Sequence, residues 1–396
     1  MNLADMLGYA DIGQLSRIAE TYACSCNSRS KNELIQSILR AAGSRDSFGK
    51  QIDAMSMEEL RFLNGLLFDG QRAYSVEELV ARVKQGRFDE QEKPAVTAVA
   101  PPPSGRKRAG KSKKPALQSL PSPRETIAKF KASGWLFNGF AGTDRYLFHM
   151  PEDLKTRLQR ELQRRLTSQL QVARDEPEAF RDEQTLMAED VRTLLHFVGQ
   201  QTPALSAEGA MYRRSIQLLA DQLHVREEPP AKGAWRFGYG RRFKDYPNRM
   251  SYLYDYCYYN GLVEERGDAL VLTEAGAARL AEGKREEPAL LYRFWLRLYR
   301  KAIPALPALA GWIDRLATDW VTLESLESAL LPYVKPYYYD TASDVLEKRI
   351  LSMLLHLGML RIGEHSASGR VVRMTPIGRA AASGVVVTDG EAIALD

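Results

Sequence analysis

The chain has few cysteines, few histidines and no long apolar run, and each scarcity removes a class of function. Cys24, Cys26 and Cys257 are the only cysteines in 396 residues, too few and odd in number for a disulfide framework. Cys24 and Cys26 stand as C-x-C with no second pair, which does not make a zinc ligand set. They read as two small half-buried residues in a turn. The five histidines (His149, His196, His224, His356 and His365) are scattered, none four residues from another. His196 and His356 fall on apolar helical patterns and are expected in the core with a satisfied hydrogen bond. There is no G-x-S-x-G and no Cys–His arrangement. The acid pairs Glu58-Glu59, Glu77-Glu78 and Glu264-Glu265 fall at helix starts or a hairpin tip, where they serve helix dipoles or face solvent. No stretch reaches the roughly 18 apolar residues of a membrane span. The most apolar candidate, LLYRFWLRLYR, is broken by Arg293, Arg297 and Arg300. The start, MNLADMLGYADIG, has neither a basic opening nor an apolar run. These absences predict a cytoplasmic, non-enzymatic chain with no cofactor, no metal site and no membrane partner.

What is present is a soluble composition, 44% hydrophobic and 27% charged, and a length that suits two to four domains. The formal net charge of +5 is concentrated. Residues 88–124 hold eight basic and three acidic residues, so the rest of the chain sums to zero. This stretch is rich in Pro, Ala and Lys, has no hydrophobic periodicity, and is expected to be a disordered basic linker. It contains Gly105-Arg-Lys-Arg-Ala-Gly110-Lys111-Ser112, which satisfies the phosphate-loop string. That loop needs a buried strand before it and a helix after it. Here Pro101-Pro102-Pro103 precede and Lys113-Lys114-Pro115 come after, so ATP binding is rejected.

Before the linker, residues 1–45 read as a helical hairpin. Leu15, Ile18 and Ala19 make one apolar face and Leu34, Ile35, Ile38 and Leu39 the next, with Ser30 and Glu33 as a capping box. The pattern L-x-x-I-A, a small polar loop, then K-x-E-L-I resembles SAP-like and Rho-N-like modules, which implies nucleic-acid contact. A plain packing hairpin fits the same residues. Two further capping boxes, Ser56 with Glu59 and Ser75 with Glu78, open helices over 57–69 and 75–86. After the linker, a long helix opening at Pro151 carries the stripe Leu154, Leu158, Leu162, Leu166, Leu170.

The main signal is a repeat. SGWLF…YLFHMPEDL from Gly134, NGLVEERGDALVLTEAGAARL from Gly261 and LGMLRIGEHSASGRVVRMTPIGRAA from Gly358 share one order. A helix ends at Gly, a hairpin comes next, and a short turn enters another helix. The last two also share Leu272-Thr273-x-x-Gly276 and Met374-Thr375-x-x-Gly378. Glycine after the helix permits a left-handed exit, and the threonines would cap the next helix. Two helices precede each copy: 57–69 and 75–86, then near 188–199 and 207–223, then near 306–319 and 322–331. The closing helices are expected at 125–133, 247–260 and 342–357. The predicted fold is therefore mainly α with small β-hairpins: tandem winged-helix units preceded by the SAP-like hairpin. The first unit, 46–175, is interrupted by the linker and ends with the long helix; the second and third span 180–285 and 286–396.

The segments LSAEGAMYRRSIQLLADQL (205–223), MSYLYDYCYYNGLV (250–263) and LVLTEAGAARL (270–280) resemble the winged-helix region that precedes the motor of XPB-type helicases. They also resemble the bacterial helicase-associated proteins that carry that region alone. The resemblance implies a DNA-associated accessory role without catalysis.

Residues 235–259 hold ten aromatics interleaved with Arg236, Arg241, Arg242, Lys244 and Arg249. Cations neutralise phosphates and rings stack on bases. Asn248 and Arg249 open the closing helix, where a winged helix meets base edges, and Tyr252 lies one turn on. The candidate nucleic-acid site is thus Arg236, Arg241, Arg242, Lys244, Asn248, Arg249 and Tyr252. Burial of the tyrosines between adjacent domains, and a small-molecule or peptide groove, are the alternatives. The expected function is a non-catalytic DNA-binding or helicase-associated accessory protein, with duplex DNA and a helicase or other DNA-processing protein as partners. The alternative is a protein–protein adaptor with no nucleic-acid affinity.

Overall fold

In the computed structural model the described residues are 1–25, 30–88, 121–228 and 239–395. Residues 89–120 of the linker, with its phosphate-loop string, lie outside them, as do Cys26 and Arg236. Pro123 and Arg124, expected at the end of the disordered linker, instead open a helix capped by Ser122. The fold is mainly helical with small antiparallel sheets. No helix among the described residues is long and apolar enough to cross a membrane. The chain forms two units: Met1–Leu66 with Arg72–Arg157, and Leu67–Gln71 with Leu158–Asp396.

The first unit contains α1 (Leu3–Tyr9), α2 (Ile12–Thr21), α3 (Lys31–Gly43), α4 (Arg45–Asp53), α5 (Met57–Leu67), α6 (Val76–Gln85), α7 (Pro123–Ala132), β1 (Phe137–Asn138), β2 (Phe148–His149) and the start of α8 (Glu152–Thr167). Its helix starts are written in the sequence. Ser75 accepts from Glu78 N at 3.1 Å while the Glu78 carboxylate accepts from Ser75 N, and Ser122 with Glu125 repeats this at α7. Leu15 and Ile18 of α2 and Leu34 and Ile38 of α3 form one core with Leu3, Met6 and Phe137. The N-terminal helices and the first hairpin are therefore packed as one body.

The second unit contains β3 (Ala179–Arg181), α9 (Leu186–Gln201), α10 (Arg213–Ala220), α11 (Asn248–Tyr259), β4 (Val263–Arg266), β5 (Ala269–Leu272), α12 (Glu274–Glu282), α13 (Pro288–Tyr299), α14 (Leu306–Leu316), β6 (Val321–Thr322) and α15 (Leu323–Leu330). One further helix has three parts: α16 (Ala342–Asp344), wider π turns over Val345–Leu351, and α17 (Ser352–His356). β7 (Leu360–His365), β8 (Gly369–Met374) and α18 (Pro376–Ala382) complete it. β3 pairs with β7 in a sheet ordered β3-β7-β8-β6, so residues 179–181 join the sheet of the third repeat rather than the second. α8 stops at Thr167, leaving Leu170 beyond the helical stripe.

All three glycine-marked segments fold alike. Gly134, Gly261 and Gly358 sit at φ 67°, 66° and 69°. The next residue reaches back into the last turn in each: Trp135 N to Phe130 O at 2.9 Å, Leu262 N to Cys257 O at 2.8 Å, Met359 N to Leu354 O at 2.8 Å. These are the backbone bonds of a left-handed helix exit, and they aim the chain into a hairpin. The hairpins are β1–β2, β4–β5 and β7–β8. In the last two, a threonine locks the closure. Thr273 Oγ1 donates to Gly261 O at 2.5 Å and accepts from Gly276 N; Thr375 Oγ1 donates to Gly358 O at 2.7 Å and accepts from Gly378 N. A Cβ on Gly276 would stand 1.9 Å from Leu262 O, and one on Gly378 2.3 Å from Met359 O, so both positions need glycine. The first copy has Pro151 there and lacks the threonine lock.

A third pairing recurs that sequence patterns alone did not reveal. The residues just before the second helix of each repeat bond to the returning hairpin strand: Tyr74 to Phe148, Pro203–Leu205 to β5 and its turn, and β6 to β8. The signal was an apolar residue ahead of a capping Ser or Thr, as in Tyr74-Ser75 and Val321-Thr322.

Candidate nucleic-acid interface

The expected site centres on α11, and α11 is almost wholly buried, from Arg249 through Cys257. Arg249 is 1% exposed. Its guanidinium pairs with Asp190 of α9 and lies 3.4 Å from Glu183. Asp190 also accepts the His224 backbone N–H at 3.0 Å and faces the His224 ring at 2.7 Å. Glu183 meets the His356 ring at 3.1 Å. A cation held this way is structural, because exposing it to a phosphate would strip two buried carboxylates of their partner. The first turn of α11 is also filled: the Glu227 carboxylate accepts from Arg249 N at 2.9 Å and Met250 N at 3.1 Å. The positive end of the helix, the natural seat of a phosphate, is already satisfied by the chain itself.

Tyr252 donates its hydroxyl to Leu291 O at 2.7 Å, with its ring 5.7 Å from Phe294 of α13. Tyr256 packs edge-on against the same Phe294 and donates to Glu286 at 2.8 Å. Burial pushes the Tyr252 hydroxyl well above its ordinary range and the Cys257 thiol upward. Tyr252 and Tyr256 therefore serve as core between α11 and α13, while Tyr254 packs on Tyr246 and Tyr258 on the other side.

Arg241 and Arg242 converge on Glu265 of β4. Arg241 reaches it at 3.0 Å and 3.2 Å, Arg242 at 2.8 Å, and Tyr254 donates to it at 2.5 Å. Burial works to raise the Glu265 pKa, but the three hydrogen bonds outweigh it and hold the carboxyl at about 2. Arg242 also donates to Glu208 O at 2.5 Å. Arg241 N donates to Asp255 Oδ1 at 3.1 Å. Burial of Asp255 raises its carboxyl to about 7 against the weaker pull of Arg241 and Arg242.

The structure thus corrects the sequence-based site. Arg249 and Tyr252 are buried, Arg241 and Arg242 are held by Glu265, and Asn248 is half-buried. Lys244 is exposed, and Arg236 lies outside the described residues. The physical reason is that a residue's type does not say what a neighbour will cover: α9 and Glu183 take Arg249, α13 takes Tyr252, and β4 takes Arg241 and Arg242. His196 is a smaller correction: it is exposed and meets Gln200, whereas His356 is half-buried with Glu183 as expected. No cluster of three or more metal-ligating side chains occurs among the described residues.

The first unit carries a different surface. The closing helix there, α7, buries Thr126, Ile127 and Phe130 but exposes Arg124, Ala128 and Lys129. A cleft of about 380 Å³ lies between α7, the α1–α2 corner and the first hairpin, lined by Tyr9, Asp11, Arg17, Lys131, Asn138 and Phe140 among others. Tyr9 is 65% exposed. The sequence signals were dispersed: Tyr9 and Arg17 lie more than a hundred residues from Lys131 and Phe140.

No protein-family model, curated protein or solved structure matches this chain significantly.

Proposed function

We propose that this chain is a non-catalytic nucleic-acid-binding accessory protein built from three winged-helix-like units. The observation that carries the reading is the threefold recurrence of one construction: helix, left-handed glycine exit, hairpin, and a third strand segment pairing with the returning strand. That construction is the scaffold on which helix–turn–helix proteins present a closing helix and a wing to DNA. The basic stretch 88–124 adds sequence-independent attraction to phosphate. A helicase or other DNA-processing protein is the proposed partner, in keeping with the resemblance of 205–280 to XPB-type helicases.

A second reading, a protein–protein adaptor, is favoured by one specific observation. Two of the three closing helices, α11 and the 342–356 helix, have mostly buried surfaces, so neither offers an open reading face. Titrating single- and double-stranded oligonucleotides into the full chain by fluorescence anisotropy at two salt concentrations separates the two. Nucleic-acid binding predicts saturable anisotropy that falls steeply with salt. A flat response to both oligonucleotides at low salt leaves the adaptor reading.

A further inference from the structure

We propose that the cleft between α7, the α1–α2 corner and the first hairpin binds a single-stranded segment of nucleic acid, with a base against Tyr9 and Phe140 and a phosphate on Arg17 and Lys131. This deepens the nucleic-acid reading and rests on it. The Tyr9 and Phe140 rings lie 4.3 Å apart at 32° and form a small aromatic platform at the cleft. Tyr9 is 65% exposed, which leaves much of its ring open to a stacking partner. Arg17 and Lys131 line the same cleft. Lys131 donates to Asn138 at 2.8 Å, and Arg17 to Gly13 O at 3.2 Å, so both cations are held by neutral acceptors. Burial and the neighbouring charge of Arg17 lower the Lys131 pKa, against a weaker pull from Asp11. An anion placed between them would relieve that repulsion. Asp11, the one carboxylate lining the cleft, is engaged as the cap of α2, accepting from Gln14 N at 2.8 Å.

Shape selects a single strand over a duplex. A concave cleft with aromatic rings suits an unstacked base, which a single strand exposes and a duplex hides. At the cleft α7 presents Ala128, Lys131 and Ala132. Of these only Lys131, already donating to Asn138, has a hydrogen-bonding side chain, too few to read a run of base edges in a major groove.

The test uses the full chain and a fluorescent oligonucleotide of about twelve nucleotides, single-stranded and as a duplex, at two salt concentrations. The double variant Arg17→Ala/Lys131→Gln should weaken single-strand binding about tenfold and lower the salt slope by about one to two. Tyr9→Ala should weaken it about fivefold or more. Lys301→Ala, an exposed lysine outside the cleft, should leave it unchanged. Ultraviolet cross-linking of a bromouracil-substituted strand should map to Tyr9 or Phe140. No binding by the parent chain would overturn both this proposal and the nucleic-acid reading. Parent binding that survives both cleft variants, with cross-links confined to residues 88–124, would overturn the cleft alone. A preference for duplex, lost equally in the variants, would overturn the single-strand assignment.

Discussion

Helices α7 and α11 occupy the same place in the repeat and end on the same glycine geometry, yet one keeps an open face and the other is enclosed on nearly every side. The difference lies in the elements packed on each, before and after the hairpin: α9 supplies Asp190 to Arg249 of α11. After β5 the chain supplies α12 and α13, and Phe294 of α13 meets Tyr252, Tyr256 and Tyr259. The aromatic richness of α11 thus answers a demand for core volume, while its arginine answers two buried acids. In α7 the apolar positions Ile127 and Phe130 face inward and the remaining positions are polar or small. Identical backbone construction can therefore leave a helix face open or enclose it, and the neighbour decides which.

The sharpest way to break this comparison is at Arg249. Arg249→Ala removes the counter-charge of Asp190 and Glu183 and should cost about 3–5 kcal/mol of stability, read by chemical denaturation. The counterpart change on α7, Arg124→Ala, should stay within about 0.5 kcal/mol, as exposed positions do. Equal effects at the two sites would mean that α11 is not the enclosed helix described.

Next comes the pH dependence of the second unit. An aspartate whose folded pKa is raised to about 7 binds more protons folded than unfolded between about 4 and 7. Stability should therefore fall as pH rises through that window and level off above it. Asp255→Asn should flatten the slope there. Glu265, held at about 2, acts in a separate window: its contribution is present above about 4.5 and is lost as pH falls toward 2. A slope between 4 and 7 that persists in Asp255→Asn would show that other groups set it.

The smallest effect sharpens the closure itself. Thr375→Ala and Thr273→Ala each remove a cap and a bond to the glycine carbonyl and should cost about 1 kcal/mol. Thr375 is 2% exposed, so its change should be the larger of the two in thermal unfolding.

Much of this fold was legible because it is local. Ser75 with Glu78, Gly134, Gly261 and Gly358, and Thr273 with Gly276 each act within about a dozen residues, and each does what its side chain or missing Cβ requires. The candidate site was much less legible. The string Arg241-Arg242 reads as a cationic patch until Glu265 is seen folded over it. Arg249 reads as a base contact until Asp190, 59 residues earlier, is found beside it. Conversely Tyr9, Arg17, Lys131 and Phe140 carry no sequence signature, because only the packing of α2 on α7 gathers them.

By itself, the sequence determined where helices start and stop, where the backbone turns left-handed, and which residues must be glycine. Those outcomes depend on hydrogen bonds and steric limits within one turn or one hairpin. Tertiary structure alone decided which charges are neutralised and which rings are exposed. That depends on electrostatics and burial between segments distant along the chain, and no local pattern encodes which segments will meet.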